Sequence, residues 1–196
     1  MKFRSLLLGA SLALAQIAVS SPAQAREQVT PRTDASPDAV IPLERWRTRW
    51  MLRAEFGGAE RKLLFDSGAG LTLLHPDALV AAKCELWGRV TGFRMFGQRG
   101  DGPRCNAMDI VIAGRAFRPP LLGAINLGKL NPADAELEGI AALNMFEGRA
   151  ITLNLGEGEI IVESPASLAE RVHSMRPFPI RLKREVEGTA LAVMAE

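Results

Sequence analysis

Hydrophobic and polar positions alternate with a period of two over much of the chain, and glycines interrupt the alternation at short intervals. Trp46, Trp50, Leu52, Ala54 and Phe56 fall on one face with Thr48, while Arg45, Arg47, Arg49, Arg53 and Glu55 fall on the other with Met51. That is the pattern of one half-buried strand from Trp46 to Phe56. Gly57-Gly58 turns the chain into Arg61–Phe65, whose Leu63-Leu64-Phe65 run reads as a buried strand. A glycine-rich stretch, Asp66-Ser67-Gly68-Ala69-Gly70, precedes a second apolar run, Leu71–Leu74. Pro76 suits the first turn of a short helix over about Pro76–Lys83.

Val90 to Gly102 holds four glycines and predicts a mobile hairpin or loop. Met108–Ile112 and Ala116–Leu122 read as strands paired about Ala113-Gly114. Asn126–Glu138 has no regular period, and Gly139–Phe146 is a short apolar segment. Arg149–Leu155 and Glu159–Val162 predict a closing hairpin about Gly156-Glu157-Gly158. Many short strands and few helices predict an all-β domain.

The first 25 residues follow a different pattern. Lys2 and Arg4 precede a mainly apolar run from Leu6 to Val19, and Ala23-Gln24-Ala25 offers a small-x-small cleavage site. The run is shorter than the roughly 20 apolar residues that a spanning helix needs. It reads as a signal peptide cleaved after Ala25, so we expect an exported, periplasmic protein. No later stretch predicts a membrane span. Residues 26–39, polar and carrying Pro31 and Pro37, read as a flexible linker.

Charge changes meaning once this segment is set aside. The full chain has 24 Lys+Arg against 22 Asp+Glu. Removing Lys2 and Arg4 leaves the mature chain formally neutral, which argues against a nucleic-acid partner despite the Arg/Trp-rich strand. Two His and two Cys leave little room for a metal site, so neither metal nor cofactor is expected. Mechanisms that need Tyr are excluded, because the chain has none. No phosphate loop, dinucleotide fingerprint or Gly-x-Ser-x-Gly elbow occurs. Cys84 and Cys105 have 20 residues between them. They are either a disulfide, worth roughly 3 kcal/mol on the chain-entropy model, or two reduced buried thiols.

One constellation points to chemistry. The buried run Leu63-Leu64-Phe65 leads straight into Asp66, and a carboxylate there is costly unless it is hydrogen-bonded or shares a proton. Ser67 offers a hydroxyl, and Gly68 and Gly70 permit a sharp turn and a close approach. Two such carboxylates about 3 Å apart share one proton; the ionised one activates water and the protonated one polarises a carbonyl. The plainer reading makes Asp66 a turn-capping residue, since Asp-Ser-Gly is ordinary turn chemistry. His75 and His173 read as surface or helix-edge residues.

Leu63-Leu64-Phe65-Asp66-Ser67-Gly68-Ala69 resembles the signature of the retropepsin-like aspartic proteases, apolar-apolar-Asp-Thr/Ser-Gly-Ala/Ser. Val90-Thr91-Gly92-Phe93 and the glycines after it resemble that family's flap. Glu138 to Phe146 resembles its Asp-Gly-Ile/Leu-Leu-Gly-x-Asp/Asn-Phe-Leu segment, and Ala150–Leu155 its last strands. Ala142 stands where the later motif has Gly, Asn154 where Asp is frequent, and Phe93-Arg94 where a Gly-Gly pair is expected.

The resemblance, over roughly residues 40–163, implies a closed or sandwiched β-barrel of short strands with one or two short helices. It implies Asp66 as catalytic carboxylate, with Ser67, Gly68 and Ala69 in support and Gly92, Phe93 and Gly97 in the flap. The substrate would be a peptide or protein. The chain has one Asp-Ser-Gly motif, so the second Asp must come from a homodimer partner or a second unit. Residues 40–164 would form the domain. Residues 165–196 would hold a linker or helix, then either a terminal strand or the opening of an incomplete second unit, since Pro179–Ala195 resembles Pro42–Phe56. The alternative function is a catalytically inactive module that binds peptides or proteins in the same groove.

Overall fold

A computed structural model of the chain describes residues 35–93, 97–185 and 190–195. The expected signal peptide and most of the expected linker lie outside the described residues. The elements run β1 (Ala39–Pro42), β2 (Glu44–Trp46), β3 (Arg49–Phe56), β4 (Ala59–Phe65), β5 (Leu73–Leu74), α1 (Pro76–Ala81), β6 (Leu86–Phe93), β7 (Arg99–Asn106), β8 (Ile110–Ile112), β9 (Arg115–Phe117) and β10 (Leu121–Ala124). They continue with α2 (Leu127–Leu130), β11 (Gly139–Ala141), β12 (Ile151–Asn154), β13 (Glu159–Val162), α3 (Pro165–His173), β14 (Ile180–Glu185) and β15 (Ala190–Ala195). Short 3-10 turns occupy Pro132–Asp134 and Leu143–Phe146. Among the described residues the protein is all-β, with the short helices α1 and α2 within residues 40–164 and α3 directly after them.

The main sheet follows the order β6-β7-β10-β5-β11-β4-β3-β8-β9, with β2 paired to β3. Among the described residues no ladder joins β6 to β9, so the strand order of this sheet is an open path. A second sheet has the order β1-β13-β12, and β14 and β15 form a third by themselves. Leu52, Ala54 and Phe56 of β3 pack with Leu63, Ile110, Ile112, Phe117, Leu79 and Ile160 into the principal core.

The Trp46–Phe56 pattern contains two strands, not one. Arg47 takes a left-handed φ of 59°, and the chain reverses there so that Trp46 pairs with Arg49. Met51, on the charged face by periodicity, is buried with Leu64, Leu127 and Leu137 in a smaller cluster. The stretch Asn126–Glu138, irregular by pattern, supplies that cover. Asn126 caps α2 by accepting from the Lys129 N–H, and Asn131 caps the turn after it. The cluster is closed by Asp134, whose carboxylate is buried and accepts from Trp46 Nε1, Arg49 and Asn131.

The Arg49 hydrogen bond, with help from Trp46, holds the Asp134 carboxyl below its ordinary value of 3.8 despite desolvation. A depressed folded-state pKa stabilises the fold above the unfolded value, and that stability is lost as pH falls through the folded one. We therefore expect Tm to fall as pH drops below about 4, and Asp134→Asn to flatten that slope; thermal melts from pH 6 to pH 2 check it. An unchanged slope in the variant would place the acid sensitivity elsewhere.

At the other end, α3 docks on the β12–β13 hairpin through Glu163. Its carboxylate accepts from Thr152 Oγ1 and Ser167 Oγ, each at 2.6 Å, and pairs with Arg171. Ser164 and Ser167 form a reciprocal capping box at the start of the helix.

Candidate functional site

The Asp66 loop is shaped by a strand that arrives late in the chain. β4 ends at Phe65, and β5, which follows the loop, does not return beside it. β11 lies between them, parallel to β4 (Ile140 opposite Leu64) and antiparallel to β5 (Ile140 opposite Leu73). Gly139 makes this insertion possible: a Cβ there would sit 2.4 Å from the Leu73 carbonyl oxygen.

Both ends of the loop are locked. At its start the Asp66 N–H donates to the Ala141 carbonyl at 3.1 Å, and the Ala69 N–H donates to the Asp66 carbonyl at 3.2 Å. At its end Thr72 and Asn144, both fully buried, form a polar knot. Asn144 Oδ1 accepts from the Thr72 N–H at 2.8 Å and from Thr72 Oγ1 at 2.7 Å. Asn144 Nδ2 donates to the Leu121 carbonyl, and Thr72 Oγ1 accepts from the Ala142 N–H. Sequence pattern alone does not single out Thr72 or Asn144. For Asn144 the signals are a lone amide side chain inside the apolar run Ile140–Phe146 and its place at the Asp/Asn position of the segment that Glu138–Phe146 resembles.

Asp66 itself stays half-exposed, although it ends a buried strand, because β-pairing stops at Phe65 and the chain turns outward. The Gly68 N–H donates to Asp66 Oδ1 at 2.8 Å, and among the described residues the other carboxylate oxygen accepts no hydrogen bond. Ser67 and Gly68 are exposed and Ala69 is half-buried. Among the described residues Ser67 makes no hydrogen bond within the chain. The Gly68 backbone, rather than the Ser67 hydroxyl, provides the expected support. Ala142, where Gly was expected, is buried in an extended conformation (φ −100°) open to any residue.

Val90–Gly102, expected as a mobile hairpin or loop, is a hairpin: β6 and β7 pair with Gly92 opposite Gly100 and Phe93 opposite Arg99. Phe93 is 72% exposed, Gly97 takes a left-handed φ of 79°, and the tip residues 94–96 lie outside the described residues. The base of the hairpin meets the Asp66 loop: Val90 packs on Leu71 and Leu121. β7 pairs with β10, and β10 with β5, so hairpin and loop share one continuous ladder.

Cys84 and Cys105 form a disulfide with Cα atoms 6.0 Å apart. It ties the chain just after α1 to β7 and so braces the hairpin at its root. His75 has a structural role: its Nδ1 caps α1 at the Asp77 N–H, and its Nε2 lies 2.7 Å from Asn126 Nδ2.

No group of three His, Cys, Asp or Glu among the described residues is placed to hold a metal. No helix among them is long and apolar enough to cross a membrane. A cleft of about 220 Å³ is lined by Ile41, Val111, Ile112 and the Arg53 cluster with Glu44 and Glu60, and shares no residue with the Asp66 loop or the β6–β7 hairpin.

No protein-family model matches the chain, and no curated protein matches it. Among solved structures it is similar to a retropepsin-like aspartic protease from Rickettsia conorii, at 14% identity and a TM-score of 0.42, over 63% of this chain and 88% of that one.

Proposed function

We propose that the chain is an exported aspartic peptidase of the retropepsin-like kind, with Asp66 as its catalytic carboxylate. The observation that carries this reading is the state of Asp66. Its backbone is pinned to Ala141 and its Oδ1 to Gly68, yet the residue stays half-exposed and its other oxygen accepts no hydrogen bond among the described residues. A carboxylate that is fixed and accessible suits proton transfer better than turn capping alone. One chain supplies one such group, so the second Asp comes from a second copy or a second unit. The ionised carboxylate takes a proton from water as the water attacks the peptide carbonyl. Its protonated partner gives a proton to the carbonyl oxygen. The β6–β7 hairpin, rooted on Leu71 and braced by the disulfide, serves as the flap over the bound peptide. The sequence pattern of residues 1–25 and the Cys84–Cys105 bond support export to an oxidising, periplasmic compartment.

The second reading is an inactive module that binds peptides in the same groove. The Ser67 hydroxyl favours it, since among the described residues only the Gly68 N–H, and not that hydroxyl, bonds the carboxylate.

Incubating the chain without residues 1–25 with a peptide library from pH 3 to pH 8 separates the two readings. A dyad that shares one proton predicts cleavage that is best in acid. Peptide capture without cleavage at any pH would establish the binding module instead.

A further inference from the structure

The segment between Glu170 and Glu185 differs from the rest of the chain in charge. It holds Arg171, Arg176, Arg181, Lys183 and Arg184 and no acidic residue. The chain is formally neutral without its first 25 residues, so this excess of base is balanced by an excess of acid elsewhere. Interleaved with the cations are Val172, Met175, Phe178, Ile180 and Leu182, which are between 52% and 65% exposed. A row of large apolar side chains turned to solvent marks a contact surface. The segment is held at both ends. Arg171 pairs with the buried Glu163, and Arg184 pairs with Glu147 while β14 is laddered to β15. Between them, residues 174–179 belong to no helix or strand and are exposed.

We propose that this segment docks the protein on an anionic phospholipid surface, as a peripheral contact and not a span. The mixture of groups decides among occupants. A nucleic acid would engage the cations through its phosphates and leave five large apolar side chains wet. An apolar groove on another protein would take those side chains but bury the arginines without counter-charge. A bilayer interface accepts both. Apolar side chains enter the boundary between headgroups and acyl chains, and Arg and Lys reach the phosphates along their flexible stems. β14 has the alternation this needs. Ile180 and Leu182 share one face, with Val193 opposite Leu182, and Arg181 and Lys183 share the other. The excess of acid elsewhere is repelled by a negative surface, so the segment meets it first and the contact is oriented. None of these residues belongs to the Asp66 loop, and the inference stands whether or not the chain is a peptidase.

Co-sedimentation of the chain without residues 1–25 with vesicles tests this. One set is phosphatidylcholine alone, and the other carries about one-third phosphatidylglycerol. We expect half of the protein to bind the anionic vesicles below about 1 mM lipid, with binding to the neutral ones weaker by about tenfold or more. Raising NaCl from about 0.05 M to about 0.5 M should weaken the anionic binding by about tenfold. Arg176→Gln and Phe178→Ser, both outside every helix and strand, should each weaken it about fivefold. Val80→Ser and Arg115→Gln, exposed in other parts of the fold, should change it less than about twofold. Thermal melts verify that the four variants keep the fold, and Asp66→Asn should bind like the unaltered chain. Failure to bind at about 5 mM anionic lipid overturns the proposal, as does equal binding to neutral vesicles or binding indifferent to both Arg176→Gln and Phe178→Ser. Displacement from vesicles by about 10 mM inorganic phosphate overturns it in favour of a free phosphate ligand. Binding of a short oligonucleotide or a soluble acidic protein, with none to vesicles, overturns it in favour of that partner.

Discussion

Asp66→Asn is expected to lower peptide cleavage by about 10³-fold or more while moving Tm by less than about 2 °C. The amide has nearly the shape of the carboxylate, and its oxygen can still accept from the Gly68 N–H, so the turn survives. The backbone bond to Ala141 does not involve the side chain at all. What disappears is the basic oxygen that takes a proton from water. In a twofold arrangement the loss strikes both halves of the dyad at once, which is why the effect should be near total. Initial rates on a cleaved library peptide, beside a thermal melt, measure both quantities. Unchanged cleavage with unchanged Tm would remove Asp66 from the mechanism and return it to turn capping.

The second large effect is on stability. Asn144→Ala should cost about 3 kcal/mol or more, since it strands the Thr72 N–H and the Leu121 carbonyl in a dry interior. For a domain of this size that lowers Tm by about 6–12 °C. Combining Asn144→Ala with Thr72→Val, which strands the Ala142 N–H as well, should cost less than the sum of the two single variants, because both break the same Thr72–Asn144 hydrogen bond. A melt of each single variant and the pair measures the coupling directly. Additive losses would show that Thr72 and Asn144 do not act as a unit. Because Thr72 closes the Asp66 loop, any residual peptidase activity in Asn144→Ala should fall as well.

Local signals in the sequence carry much of the fold. Ala113-Gly114 separates β8 from β9, both residues taking left-handed φ as a two-residue hairpin turn demands. The Gly156–Gly158 turn likewise marks β12 and β13 without ambiguity. The departures have specific physical causes. Arg47-Thr48 has no turn chemistry, so the period-two pattern runs straight through it. Met51 falls on the charged face because a strand pattern cannot foresee that a distant segment, Leu127–Leu137, covers the other side of the sheet. α2 spans four residues, too short for a 3.6-residue period to declare itself, although its Asn126 cap is visible in the sequence.

The candidate site is legible at Asp66 and less so in the residues that hold its loop. Asp66 stands out because a carboxylate after an apolar run is expensive. The Thr72–Asn144 knot joins residues 72 positions apart, and only the insertion of β11 brings them together. The disulfide is open at the level of sequence for a similar reason, since two cysteines state a separation along the chain but not in space.

That same insertion has a consequence for the order of folding. β4 and β5 are local to the loop, but the strand that belongs between them comes more than sixty residues later, and closing so long a loop is slow. The backbone bond from Asp66 to Ala141 therefore depends on closing that long loop, and the loop's cost falls on the placement of this one aspartate.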